Sequence, residues 1–256
     1  MDRLFVFGCS LTKYDWPTWA DYIGASFNEY YNYALPGASN GYATSKMIDL
    51  ISNIKLKDTD VLIFMVTGLG RFTYFNKMGA PMATGDMYSY CRDNPNDKAL
   101  NSFHNNLWTD EYAIQCTCDS INLFKYIAEM SGAKSHILSG VNYDYYLENT
   151  DIDLSYIKKF TKAISYIENK IPLYDWMKLS DENNDSPIFE DSGIEGHPSI
   201  YSHFRYALEH LPQYITNKSY DMLGYWHKNF VYTSRKLQAT KFSQYINDTF
   251  SNILQK

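Results

Sequence analysis

Six consecutive apolar residues, Val61-Leu62-Ile63-Phe64-Met65-Val66, stand between Asp60 and Thr67-Gly68. The run is far shorter than the ~20 residues that cross a bilayer, and it has no alternation that would turn one side to water. It therefore reads as a strand buried on both faces, the kind found in mainly parallel sheets covered by helices on each side. Leu4-Phe5-Val6-Phe7 reads the same way, and residues 29–33 and 135–141 supply further strands. Between them lie stretches of helical period. Met47, Leu50, Ile51 and Ile54 mark one over 42–54, and Ile114, Cys118, Ile121, Phe124, Ile127 and Ala128 mark another over 111–130, with Gly132 just past its end. A further helix is expected over 152–171. Strand and helix alternate four times, so the expected fold is α/β: a three-layer α/β/α sandwich on a mostly parallel central sheet with right-handed crossovers.

The chain has 256 residues, 45% of them hydrophobic and 20% charged, enough for one large core. We expect a single domain over 1–256 with two additions. Residues of about 72–110, rich in Gly, Asn, Asp, Met and aromatics without a clear period, read as an irregular insertion over the sheet's carboxyl edge. Residues of about 213–256 read as a helical extension, with Phe242, Tyr245, Ile246, Phe250 and Ile253 at helical spacing. A net charge of -6 without long runs lacks the basic patch that a nucleic-acid partner requires. No apolar run reaches membrane-spanning length, so no membrane partner is expected, and the oligomeric state stays open. A start directly in a core strand, with no leader layout, predicts a cytoplasmic location or release without Sec export.

The chemistry-bearing residues sit at strand ends. Gly8-Cys9-Ser10-Leu11-Thr12 closes the first strand, with Gly8 expected to permit a sharp turn and leave Ser10 at the carboxyl edge ahead of a helix that carries Trp19, Ala20 and Ile23. Pro36-Gly37-Ala38-Ser39-Asn40-Gly41 is a loop entering a helix; Ser39 or Asn40 suits the N-cap, and Gly37 allows a close backbone approach. Thr67-Gly68-Leu69-Gly70-Arg71 ends the central strand. Later, His197 stands before Pro198 at a helix start, with Glu195 and Asp191 upstream. His203, inside that helix, and His136, at a strand start, read as structural. Asn142, Tyr143, Asp144 and Tyr145 fall at the productive end of the last strand. Tyr74, Phe75, Tyr88, Tyr90, Phe103 and Trp108 read either as a cleft lining or as a small core of their own. The four cysteines, Cys9, Cys91, Cys116 and Cys118, read as reduced thiols. Cys116 and Cys118, two apart on a helix, point about 200° apart and cannot share one ion.

Taken together, the blocks at Gly8-Cys9-Ser10, Gly37 and His197-Pro198 resemble the SGNH (GDSL-type) hydrolases in a Gly-Cys-Ser variant, over roughly residues 4–208. The resemblance implies a serine esterase without cofactor or metal. Ser10 is then the nucleophile, His197 the general base and acid, and Glu195 or Asp191 the orienting carboxylate, since the family's usual position three before the histidine holds Ile194. It implies that the amides of Ser10 and Gly37 hold the oxyanion, with Asn40 beside them. The family's third donor, an asparagine after the central strand, is replaced by the Thr67-Gly68-Leu69-Gly70-Arg71 loop, where Thr67 or Arg71 could donate. The implied substrate is a small-molecule or carbohydrate ester, with O-acetyl groups on a carbohydrate as the candidate. The missing asparagine and the displaced acid leave two alternatives: a catalytically weak or inactive binding or structural protein on the same fold, and an acyltransferase using the same site.

Overall fold

The computed structural model describes residues 3–148, 151–176 and 197–229. The described strands are β1 (Arg3–Phe7), β2 (Glu29–Asn32), β3 (Val61–Val66), β4 (Arg71–Phe75), β5 (Pro81–Asp86) and β6 (Lys134–Ser139). β4 and β5 pair antiparallel as a separate hairpin; the other four form a wholly parallel sheet in the order β2-β1-β3-β6. The described helices are α1 (Trp19–Gly24), α2 (Asn40–Asn53), α3 (Met87–Asp93), α4 (Lys98–Leu107), α5 (Asp110–Ser131), α6 (Asp144–Glu148), α7 (Leu154–Ile164), α8 (Ile200–His210) and α9 (Asn217–Asn229). None of them is long and apolar enough to cross a membrane.

The period of two along each strand divides the core. Leu4, Val6, Val61, Ile63, Met65 and Leu138 pack against Trp19, Ala20 and Ile23 of α1 and Tyr206 and Ala207 of α8. Phe5, Phe7, Leu62, Phe64, Val66 and Ile137 face the other way, onto α2, α5 and α7 through Met47, Leu50, Ile121, Phe124 and Phe160. Every β3 side chain is buried, each worth roughly 1.5–3 kcal/mol relative to exposure. The result is the expected three-layer α/β/α arrangement. Helix ends follow from local chemistry: Ser39 caps α2 by accepting from the Tyr42 N–H, Thr109 caps α5, and Gly132 ends α5 in the left-handed region at φ 70.

Residues 72–110 are an insertion but not an irregular one, because they form the β4–β5 hairpin followed by α3 and α4. The turn is set by Asn76, whose side-chain oxygen accepts from the Met78 and Ala80 N–H groups, and by Gly79 at φ 76. Phe72 stacks on Phe103 at 4.7 Å and meets Trp108 edge-on at 5.7 Å, so these aromatics form a satellite core, of which Phe72 and Trp108 also line a recess. Both hairpin strands are half-buried on each side, which erases the alternation that would have marked them. The C-terminal segment begins with a 3-10 turn at Pro212–Tyr214 and then α9, whose Met222 and Trp226 pack on Tyr22, Ile200 and Phe204. Residues 230–256 lie outside the described residues.

Candidate active site

In the order β2-β1-β3-β6, the chain leaves β1 to one side and returns to its other side at β3. The β1/β3 junction is thus the switch point of the sheet, where open α/β folds leave a crevice at the carboxyl ends of the strands. Ser10 follows β1 at that edge. Cys9 to Lys13 forms a single tight turn, with the Thr12 and Lys13 N–H groups both donating to the Cys9 carbonyl at 2.9 and 3.0 Å. The turn follows Gly8 as expected, and Gly8 is needed here for space. Its φ is not positive, but a Cβ at this position would meet the Thr12 Oγ1 at 2.3 Å and the Met65 Cβ at 3.3 Å. Ser10 is only 4% exposed, yet no described residue hydrogen-bonds its hydroxyl or its N–H.

Gly37 joins the same edge. Leu35 N–H donates to the Gly8 carbonyl at 3.4 Å, tying the two loops together, and Ala38 N–H donates to the Leu35 carbonyl at 3.0 Å. With Pro36 and then Gly37 at φ 77 in the middle, this is a type II turn, and the positive φ is why the residue is glycine. The Gly37 carbonyl accepts from the Gly85 N–H of the hairpin at 3.2 Å, while no described residue takes the Gly37 N–H. Two backbone donors, at Ser10 and Gly37, are therefore unspent among the described residues, on two loops tied together at this edge.

The β3 edge is built in the opposite way. The Asn40 carboxamide grips the Thr67 backbone like a second peptide: its Oδ1 accepts from the Thr67 N–H at 2.9 Å and its Nδ2 donates to the Thr67 carbonyl at 3.0 Å. The second Nδ2 hydrogen goes to Thr117 Oγ1 at 2.9 Å. Tyr143 Oη also donates to the Thr67 carbonyl, at 3.1 Å, and burial raises the Tyr143 pKa. Thr67 Oγ1 donates to Cys9 Sγ at 3.1 Å. Asn40 was expected beside the oxyanion amides and Thr67, or else Arg71, as a candidate third donor, but the donors of Asn40 and Thr67 are committed to holding β1, β3, α2 and α5 together. Arg71 differs from both: it is half-buried at the start of β4 and lines a cleft with Asn40, Trp108 and Tyr112.

His197 arrives from the far end of the chain. Its ring stacks on Tyr14, with centroids 4.0 Å apart and planes 13° apart. The Trp16 Nε1–H donates to the Pro198 carbonyl at 2.8 Å. The His-Pro block is thus fastened onto the loop that carries Ser10, through two aromatics that sequence reasoning passed over. The available signal was the pair of large amphipathic rings, Tyr14 and Trp16, set only four and six residues beyond Ser10. Glu195 and Asp191 lie outside the described residues. His203 is fully buried in α8 with neither ring nitrogen hydrogen-bonded; burial, helped by nearby His197, lowers its pKa to about 3. His136 is held by Glu168 at 2.8 Å and Tyr214 at 3.0 Å at the start of β6, a structural role at the wrong end for catalysis. On α5, Cys118 is buried against the sheet and Cys116 is part-exposed at the cleft, as helix geometry requires. No protein-family model and no curated protein matches this sequence.

Proposed function

We propose that the chain is a cofactor-independent serine esterase of the SGNH type, cleaving a small-molecule or carbohydrate ester, with O-acetyl groups on a carbohydrate as the leading candidate. The observation that carries the reading is the union of residues far apart in sequence, His197-Pro198 on Tyr14 and Trp16, at the loop that bears an unpaired Ser10. In this reading His197 takes the Ser10 Oγ proton as Oγ attacks the ester carbonyl carbon. The carbonyl electron pair moves onto oxygen, where the Ser10 and Gly37 N–H groups receive it. Collapse expels the alcohol, which leaves with the proton from His197, and water repeats the cycle on the acyl-serine. Glu195 or Asp191 orients the imidazole. Four free cysteines favour a reducing compartment such as the cytoplasm, and a net charge of -6 favours a small substrate over nucleic acid.

A second reading, a binding protein on the same fold, is favoured by the commitment of Thr67 and Asn40 to structural bonds, which leaves no side-chain oxyanion donor of the usual kind at the β3 edge. Hydrolysis of a short-chain aryl ester separates the two. Ser10→Ala is expected to cut turnover by about 10³–10⁶-fold with the fold intact by circular dichroism. Wild-type turnover in that variant would leave only the binding protein.

A further inference from the structure

A second recess opens beside the β3 edge, on the side away from the His197 contact. It holds about 230 Å³ between the start of α2 (Ser39, Asn40 and Gly41), the start of the hairpin (Leu69, Arg71, Phe72 and Thr73) and the first half of α5. Its walls are aromatic, from Phe72, Trp108 and Tyr112. The polar groups in it are unevenly used. Asn40 and Thr117 have all their hydrogens committed. The Ser39 oxygen already accepts from the Tyr42 N–H, and the Thr73 oxygen from the Ser39 N–H.

What remains is donor capacity. Arg71 forms no ion pair or side-chain hydrogen bond among the described residues. Among the described residues no Asp or Glu lines the recess, and α2 has no acid in its first turn. Asp86, across the hairpin from Arg71, caps α3 through the Ser89 N–H, and Asp110 accepts from Tyr88; neither forms an ion pair with Arg71. A half-buried guanidinium without an ion-pair partner, beside a helix start, is a setting that favours a negatively charged group. The aromatic walls and the volume favour an organic body over a bare ion.

We propose that this recess binds the carboxylate of a small ring-bearing organic acid, with Arg71 as its counter-ion. The pocket adds a ligand class to the carboxyl edge and stands whether or not Ser10 is a nucleophile. Benzoate and benzamide, alike in shape but not in charge, test it by calorimetric titration of the full chain. Benzoate is expected to bind at least about tenfold more tightly than benzamide. Arg71→Gln should erase that preference, and Arg71→Lys, which keeps the charge but not the fork, should retain part of it. Cys116 reports the location: benzoate should slow its alkylation by iodoacetamide several-fold in the wild-type chain and not in Arg71→Gln. Equal binding of the two compounds overturns the proposal, as does preference surviving in Arg71→Gln, binding that leaves Cys116 alkylation unchanged, or no binding of benzoate up to about 10 mM.

Discussion

The loop after β1 and the loop after β3 leave the sheet side by side, yet they use their polar groups in opposite ways. At the β1 edge the Ser10 hydroxyl, the Ser10 N–H and the Gly37 N–H are all without partners among the described residues. At the β3 edge the groups of Thr67 are all spent, with its N–H, carbonyl and hydroxyl bonded to Asn40, Tyr143 and Cys9. Buried polar groups are nearly always paired, so the unpaired set converging at the carboxyl edge is where a ligand would fit, and the paired set at Thr67 is where the fold is held. Position in a loop does not distinguish the two; the accounting of hydrogen bonds does.

The largest expected effect lies at the β1 edge. If Ser10 and His197 act as a unit, His197→Ala should lower aryl-ester turnover by about 10³–10⁶-fold, and adding Ser10→Ala should cost little more. Multiplying losses in the double variant would show that the two residues do not share a step. At the β3 edge the outcome should be reversed. Asn40→Ala strips the Thr67 N–H of its acceptor and is expected to lower unfolding stability by roughly 2–4 kcal/mol in denaturant titration, while the folded fraction keeps its turnover within about tenfold. A loss of 10²–10³ in turnover at unchanged stability would return Asn40 to the oxyanion site.

The buried His203 carries a pH signature. Its folded pKa of about 3 lies below the ordinary 6.5, so below pH 6.5 the unfolded chain takes up a proton that the folded chain refuses. Stability is therefore lost as pH falls from 6.5 towards 3, by about 1.4 kcal/mol per pH unit from this group alone. The difference in stability between wild type and His203→Leu should show that slope across the window; a pH-independent difference would mean that the histidine is not buried neutral. The smallest effect is expected from Thr67→Val, which removes only the hydrogen bond to Cys9. Turnover should change by less than about tenfold, whereas a true oxyanion donor would cost about 10²–10³.

Much of this frame was legible in the chain. β1 and β3 were plain because their apolar runs are unbroken, α2 because Ser39 precedes a helical period, and the end of α5 because Gly132 stands where a left-handed residue is needed. The hairpin was not, because its strands are half-buried on both faces and its turn is made by the Asn76 side chain in place of a familiar dipeptide. Asn40 was misassigned for a related reason: its sequence position at a glycine loop is that of a ligand donor, but its partner, the Thr67 backbone, is 27 residues away and visible only in three dimensions. Gly8 was legible as essential but not why, since the obstacle to a side chain there is Thr12 and Met65.

The central claim is that Ser10 is a nucleophile activated by His197, and the most direct measurement is covalent labelling of the full chain with a fluorophosphonate, read by intact mass and peptide mapping. The account predicts a single adduct on Ser10, absent in Ser10→Ala and formed at least about 10²-fold more slowly in His197→Ala. No adduct on the wild-type chain, or one that survives in Ser10→Ala, would contradict it.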